Sequence, residues 1–434
     1  MHVVTSILLV LACSEDESGT AFPAADLVRF PGASVIAGEN DPLVAAERYQ
    51  GADDDGYDWA LASAGGTLYL GVPQAGEVRQ FLGGGLVGGG AVVVAGEPGE
   101  RFGASVDARG DVVVVGVPEH DGGPELDGAG ATAFVGGVQV VGAAAQVGFG
   151  EVVAACGDID EDGAADWAAS APFEAELGGA VYSGSVGQVD ATVATLLRLE
   201  GLAGEAFGRS LACKLDLVDG VAPEVVVGVP FSPGGAGADA AGRVEVWSQL
   251  ALAEGVPARL LYGQDLVGAE DERFGTALAV CNLDGDEWND LVVGAPGAGD
   301  GAGAVYGFRG RVLRGSMLFG DVFTPSFVLT GPVVGAHFGD ALDCGDLTGD
   351  GVDELFVGAP GEDAVDGTRE TGALYAFEGP STTWGGAAST EIAYASFRSD
   401  RAFLRAGDRF LVDDLDGDTL ADVMMVIRQR TRGE

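Results

Sequence analysis

The sequence predicts an all-β fold, a seven-bladed β-propeller of four-stranded antiparallel blades, from three observations. A pattern of Phe-Gly, a middle segment and Gly-Ala-Pro or Gly-Val-Pro recurs along the chain. Each recurrence is followed by short alternating runs rich in Val, Tyr and Phe, which are typical of β-strands. The two ends of the chain carry complementary halves of the same unit. Repeats of roughly 40 to 70 residues with four strands each are typical of propeller blades.

Seven repeats follow one another along the chain. The fullest middle segments are acidic, as in FGDALDCGDLTGDGVDELFVGAP at 338–360. After each Gly-Ala/Val-Pro comes a loop of variable length and then a third strand, such as GAVYGF at 303–308. The repeats start near residues 59, 102, 149, 207, 274, 338 and 407.

The chain ends predict how the propeller closes. The last repeat has only its first two strands before Glu434, whereas LVRFPGASVIAGE at 27–39 resembles the third and fourth strands within 78–97. We therefore expect N-terminal strands to complete the last blade, which would protect the open sheet edges. The predicted organisation is a signal peptide at 1–12, an acidic linker at 13–24 and the propeller at 25–434.

The charge of the chain limits the classes of molecule that it can bind. The 434 residues include 22 Lys and Arg against 67 Asp and Glu, a formal net charge of −45. Such a chain repels nucleic acid and anionic lipid surfaces and is suited to binding cations.

The N-terminus predicts export. The apolar run at 3–12 is too short to span a bilayer but has the length of a signal-peptide core. The run ends Val-Leu-Ala-Cys, which resembles a bacterial lipobox with Cys13 as the lipidated residue. An ordinary signal peptide with a chance Cys is the alternative. The expected location is the bacterial outer membrane or cell surface, with membrane contact only through a lipid anchor.

The ordered combination of Phe-Gly, acidic loop and Gly-Ala-Pro resembles FG-GAP repeats, the propeller units of integrin α-subunit heads and of bacterial surface proteins. The resemblance covers roughly residues 25–434. It implies adhesion or ligand recognition, with calcium loops on one face and a ligand surface on the other. That surface would be formed by the loops 119–129, 173–178, 231–241, 297–302 and 361–371.

Four acidic loops predict about four Ca²⁺ sites. Oxygen-bearing side chains stand at loop positions 1, 3, 5 and 9, and the backbone carbonyl at position 7 adds a ligand; Ca²⁺ takes six to eight such oxygens. Position 12 is never Glu, so the loops are not EF-hands, and simple Asp-Gly turns are the alternative. The 214–224 loop is assigned no metal because it has a Lys near position 1 and a Pro. The predicted ligands are Asp158, Asp160, Asp162, Ala164 and Asp166; Asn282, Asp284, Asp286, Trp288 and Asp290; Asp346, Thr348, Asp350, Val352 and Glu354; and Asp414, Asp416, Asp418, Leu420 and Asp422.

Four cysteines fall at the end of the first strand of their repeats. Pairs Cys156–Cys213 and Cys281–Cys344 could bridge neighbouring blades if their Cα atoms lie within about 7 Å. Small buried thiols at equivalent positions are the interpretation we favour.

The predicted function is ligand binding rather than catalysis, because the chain has neither GxSxG nor HExxH. A protein or carbohydrate ligand is expected on the face opposite the calcium loops. Acidic side chains there would favour a basic or cation-bridged partner: Glu119, Asp121, Glu125, Asp127, Glu362, Asp363, Asp366 and Glu370. The alternatives are a calcium-dependent carbohydrate lyase or hydrolase and a purely structural envelope protein.

Overall fold

The computed structural model describes residues 7–11 and most of 59–427. The gaps within the second range are 83–89, 98, 124–125, 137–138, 143–146, 175–177, 187–196, 214–215, 218–221, 234–239, 249–251, 253–256, 258, 262–270, 315–320, 365, 380–385, 399–404 and 416–417. The predicted linker, Cys13 and the 27–39 strands lie outside the described residues.

Six antiparallel sheets form the blades, and strand order within each follows the chain. Blade 1 holds β2 (Ala60–Ala64), β3 (Thr67–Val72), β4 (Glu77–Leu82) and β5 (Ala91–Ala95). Blade 2 holds β6 (Ser105–Arg109), β7 (Val112–Val117), β8 (Ala131–Phe134) and β9 (Gln139–Val141). Blade 3 holds β10 (Val153–Ala155), β11 (Asp166–Ala171), β12 (Ala180–Ser185) and β13 (Leu197–Glu200).

The remaining three blades continue this pattern. Blade 4 holds β14 (Ser210–Ala212), β15 (Val225–Val229), β16 (Arg243–Trp247) and β17 (Arg259–Leu261). Blade 5 holds β18 (Leu278–Cys281), β19 (Asp290–Ala295), β20 (Ala304–Phe308) and β22 (Phe327–Thr330). Blade 6 holds β23 (Leu342–Gly345), β24 (Glu354–Ala359), β25 (Ala373–Phe377) and β27 (Ala395–Arg398).

Two blades receive a fifth strand from the next repeat. Strand β21 (Asp321–Phe323) pairs in parallel with β17, and β26 (Gly386–Ser389) pairs in parallel with β22. Each added strand covers an outer edge that would otherwise present unpaired backbone groups.

Helical structure is sparse in the described residues. It includes α1 (Ala298–Gly301), α2 (Gly310–Arg314) and a 3₁₀ turn at Thr390–Ile392. None of the described helices has the length and apolar character needed to cross a membrane.

Within the described residues the structure shows six blades, where the sequence predicts seven. The last repeat forms a hairpin of β28 (Arg409–Asp413) and β29 (Asp422–Ile427). The edge of β29, expected to receive an antiparallel strand from 27–39, instead pairs in parallel with β1 (Ile7–Leu11). The hairpin packs against blade 1, where the Arg409 side chain donates to the carbonyl oxygen of Trp59 at 3.0 Å.

The repeat motif has a direct packing explanation. The repeat phenylalanines Phe149, Phe207, Phe274 and Phe338 are buried between neighbouring blades. The following glycine lies against the glycine of the preceding Gly-Ala-Pro: a Cβ on Gly294 would overlap the carbonyl oxygen of Gly339. Phe-Gly therefore packs onto the previous repeat's Gly-Ala-Pro, or onto Ser170 in the case of Gly208. A larger residue at Gly294 or Gly339 would separate the blades.

The cysteines form disulfides, so the favoured interpretation of free buried thiols is wrong. Cys156 bonds Cys213 with a Cα–Cα distance of 5.0 Å, and Cys281 bonds Cys344 at 6.0 Å. First strands of adjacent blades therefore approach closely enough to be bridged at these positions. The bonds join blade 3 to blade 4 and blade 5 to blade 6.

Candidate metal centre

Five loops between first and second strands share one hydrogen bond. The apolar residue at position 2 is buried, and its backbone N–H donates to the carboxylate at position 9. Because position 9 begins or directly precedes the second strand, this bond folds the loop back on its own start. The donor–acceptor pairs are Ile159–Asp166 (2.7 Å), Leu217–Glu224 (2.6 Å), Leu283–Asp290 (3.2 Å), Leu347–Glu354 (2.8 Å) and Leu415–Asp422 (3.1 Å).

In repeat four this bond places Asp216 at position 1, where the sequence suggested Lys214. The sequence signal for position 1 is an apolar residue at position 2 followed seven positions later by an acidic residue, because the donor and acceptor of the shared bond are seven positions apart. Positions 3 and 5 of this loop are Val218 and Gly220. The loop therefore offers few carboxylates, and its lack of a metal stays a prediction.

The loop 158–166 brings three predicted ligands together. One carboxylate oxygen from each of Asp158, Asp160 and Asp166 lies within 4.8 Å of the others. Asp158 also accepts from the backbone N–H of Asp162 at 3.0 Å and of the residue after it at 2.9 Å. Burial raises the pKa of Asp166, and the Asp160 charge adds to the rise. A cation would relieve this crowding of like charges, so the residues fit Ca²⁺.

The loop 346–354 shares the hydrogen bonding to position 1, although its carboxylates do not converge as closely as those of 158–166. Asp346 accepts from four successive backbone N–H groups at 2.7–3.3 Å. The Thr348 hydroxyl oxygen is buried with no hydrogen-bond partner among the described residues. Burial, together with the charges of Asp346 and Asp350, raises the pKa of Glu354 to about 7. An orphaned oxygen beside crowded carboxylates fits a cation site.

The loop 414–422 follows this geometry in its described part. Asp414 accepts from the N–H groups of Asp418 at 3.1 Å and Thr419 at 2.9 Å. Asp418 in turn accepts from the N–H of Leu420 at 2.9 Å. The predicted ligand Asp416 lies outside the described residues.

The bond from position 7 to position 5 recurs in all four loops. In each, the backbone N–H of position 7 donates to the carboxylate of position 5, at 2.8–3.0 Å. The four donors are Ala164, Trp288, Val352 and Leu420. Metal coordination by their carbonyl oxygens stays a prediction.

The loop 282–290 has different partners for its acids. Arg309 lies 2.8 Å from the Asp284 carboxylate, and Arg311 lies 3.3 Å from Asp284 and 3.2 Å from Asp286. Burial raises the pKa of Asp290 to about 6, with Asp284 adding to the rise. Two arginines therefore form ion pairs with Asp284 and Asp286, which the sequence predicts to be metal ligands.

The opposite ends of the blades carry the other loops of interest. Because β11 pairs antiparallel with β10 and with β12, its two flanking loops leave the sheet at opposite ends. Acidic loops therefore emerge at one end, and the loops after Gly-Ala/Val-Pro emerge at the other.

Several acids expected to face a ligand instead hold these second loops in place. Glu362 is buried, accepts from the Tyr375 hydroxyl at 2.6 Å and lies 3.0 Å from Arg398. Asp363 accepts from the N–H of Glu370 at 2.8 Å. The inference of a basic partner from these acids therefore loses part of its support.

Comparison with known proteins agrees with this architecture. The FG-GAP repeat family matches residues 274–308 and 338–377, the first three strands of blades 5 and 6. Integrin alpha-PS2 of Drosophila melanogaster is 29% identical over 109 residues, 24% of this chain and 7% of that protein. Integrin alpha-X of Homo sapiens is 39% identical over 110 residues, 24% of this chain and 9% of that protein. Integrin alpha-IIb of Homo sapiens is 34% identical over 204 residues, 44% of this chain and 18% of that protein.

The described blades and their recurring loops define an all-β propeller. The FG-GAP repeat family matches two of the blades, and the chain resembles integrin α subunits. The matches span less than a fifth of the length of these relatives.

Proposed function

We propose that this protein is an exported, calcium-stabilised propeller that binds a protein ligand at the cell surface. The resemblance to integrin α subunits supports a role in adhesion or ligand recognition. The observation that carries the proposal is the placement of the acidic loop and the second loop at opposite ends of a blade, as in blade 3. One end holds cations that rigidify the scaffold, and the other end presents loops to the ligand.

Exposed apolar side chains support a protein ligand over a carbohydrate. Phe173 and Phe231 lie in second loops, and Leu202, Val333 and Val334 lie in the loops leading into the next repeat at the same end. These side chains are exposed, Leu202 at 71% and Val334 at 72%. Exposed large apolar groups are typical of protein interaction sites. Five others lie in or beside the connections between third and fourth strands: Leu82, Val92, Leu197, Val312 and Ile392.

The ligand test is capture by the full-length protein from cell-envelope and host extracts, with calcium and with EDTA. We expect Phe231→Ser and Val334→Ser to abolish capture of a specific protein. Leu82→Ser is the matched control, because Leu82 is 70% exposed and ends a third strand at the opposite end. Capture that is equal in all three variants would contradict the proposed ligand face.

The calcium sites of the proposal are the loops 158–166, 346–354 and 414–422. The convergence of Asp158, Asp160 and Asp166 and the orphaned Thr348 hydroxyl support them. We expect Asp160→Asn to lower the number of bound calcium ions by one.

The proposal includes no catalytic activity. The acids of the described loops bind backbone N–H groups or arginines, so their clustering has a structural explanation. Cleavage of any polysaccharide in a calcium-containing screen would favour the carbohydrate-active enzyme instead.

Export through a lipidated Cys13 completes the proposal. The apolar run at 3–12 and the Val-Leu-Ala-Cys sequence support it, whereas the pairing of Ile7–Leu11 with β29 would require the leader to be retained. Mass spectrometry of the mature N-terminus distinguishes the two, and Cys13→Ser should release the protein from membranes.

A further inference from the structure

The loop 282–290 has a different backbone from the three loops proposed to bind calcium. In those loops position 6 has a left-handed φ, 88° at Gly163, 82° at Gly351 and 77° at Thr419. At the same position Glu287 does not have a left-handed φ. The 282–290 loop therefore turns differently at its centre.

The changed turn alters which oxygens are satisfied. In the other three loops, the N–H groups of positions 5 and 6 donate to the carboxylate at position 1. Here the N–H of Asp286 donates to Asp284 at 3.3 Å. The side-chain oxygen of Asn282 at position 1 is buried and has no hydrogen-bond partner among the described residues. The Asn282 side-chain oxygen, which could bind a metal, therefore lacks the backbone N–H donors that the position 1 carboxylates have in the other three loops.

The segment after β20 supplies positive charge to this loop. Arg309 and Arg311 both reach Asp284, whose side chain is only 7% exposed, and Arg311 also reaches Asp286. Two guanidinium groups carry the charge of one divalent cation. A buried carboxylate needs such compensation, because an unpaired charge there is strongly unfavourable.

The backbone of the same segment completes the arrangement. The N–H of Gly310, the first residue of α2, donates to Asp290 at 2.8 Å. The two oxygens of Asp290 therefore bind Gly310 and Leu283. Every acid of the loop at positions 3, 5 and 9 is engaged by residues 309–311.

The other end of α2 acts on the neighbouring blade. The Arg314 guanidinium pairs with Asp216, at position 1 of the repeat-four loop, and lies 3.8 Å from the ring centre of Trp288. One short segment with three arginines therefore links the equivalent loops of blades 4 and 5.

We propose that Arg309 and Arg311 take the place of the metal ion in the 282–290 loop, which is a latent calcium site. Removing the two arginines returns the loop to calcium binding, since Asn282, Asp284, Asp286 and Asp290 keep the oxygen pattern of the other loops. This inference builds on the proposed calcium sites but concerns a loop outside them.

The test counts bound calcium by equilibrium dialysis of full-length protein and metal analysis. Asp284→Asn should leave the wild-type number unchanged, whereas Asp160→Asn should lower it by one. Arg309→Gln/Arg311→Gln combined with Glu287→Gly should bind one calcium ion more than Glu287→Gly alone. Adding Asp284→Asn to that combination should remove the extra ion. Arg314→Gln is a further control and should not change the number.

Each result decides the matter. Loss of one ion in Asp284→Asn overturns the proposal, because the wild-type loop would then hold metal. A combined variant that is folded by circular dichroism yet gains no calcium also overturns it. If the wild type binds no calcium but the combined variant gains one ion, the three proposed sites fail while the latent site is supported.

Discussion

Glu362 and Arg398 lie 3.0 Å apart beside the hydroxyl group of Tyr375, to which both are hydrogen-bonded. The same trio recurs in blade 3, where Arg198 lies 2.8 Å from Glu174 next to the Tyr182 hydroxyl. In both blades the carboxylate comes from the loop after the second strand, the tyrosine from the third strand and the arginine from the fourth. The trio thus fixes a second loop onto its own blade.

The first prediction concerns the pH dependence of this trio. Burial raises the pKa of Glu362 above its ordinary value of 4.5. The folded state therefore binds this proton more tightly than the unfolded state, so its stabilising contribution is complete below pH 4.5 and is lost as pH rises through the raised pKa. Since Gln does not titrate, the free-energy advantage of wild type over Glu362→Gln should shrink with rising pH. Urea unfolding at several pH values measures it, and a constant or growing advantage would contradict the assignment.

The second prediction concerns the arginines beside the acidic loop. Arg309→Gln leaves the buried Asp284 carboxylate with less compensation and should lower the free energy of unfolding in EDTA by about 1–3 kcal/mol. Arg273 is the matched control, because its pair with Asp271 at 2.8 Å is largely exposed. Arg273→Gln should cost less than about 1 kcal/mol. Equal losses in the two variants, measured by urea unfolding, would contradict the role given to Arg309.

The third prediction concerns the disulfide between blades 5 and 6. Cys281→Ala/Cys344→Ala should lower the free energy of unfolding by about 2–5 kcal/mol, because the bond closes a long chain segment in the unfolded state. Peptide mapping without reductant should recover a Cys281–Cys344 peptide from the wild type. Free thiols at both positions in oxidised protein would contradict the pairing.

The fourth prediction concerns the glycine that precedes the third strand. Gly303 has a φ of 89°, and a Cβ there would overlap the carbonyl oxygen of Phe338. Gly335 has a φ of 82° but open space around it. Gly335→Ala therefore measures the cost of the left-handed φ without a steric overlap. Gly303→Ala should therefore cost about 1–3 kcal/mol more than Gly335→Ala in thermal or urea unfolding. A difference near zero would mean that blades 5 and 6 do not meet as closely as described.

Most strands could be predicted from the sequence because the residue pattern of a strand lies within a few consecutive residues. The alternating run GAVYGF predicts β20, and Gly-Ala-Pro predicts the end of β19. The strands β21 and β26 could not be predicted in the same way, since each pairs with the preceding blade across many residues. The pairing of β1 with β29 was missed for the same reason.

The acidic loops were readable because their oxygens are close together in sequence. Their partners were not, because Arg309 lies far along the chain from Asp284 and is brought there only by the fold of blade 5. The disulfides depend likewise on the distance between neighbouring first strands. Local spacing thus predicts which oxygen atoms a loop contains, and the fold determines which residues bind to them.

The most direct test of the account is thermal unfolding of the full-length protein with calcium and with EDTA, with bound calcium counted in the same samples. We expect about three calcium ions per chain and a clear fall in Tm in EDTA. A bound ion stabilises the folded state by about 2.7 kcal/mol at a free concentration of 100 times Kd. No bound calcium and an unchanged transition in EDTA would contradict the central claim, and the acidic loops would then be turns held by their own backbone hydrogen bonds.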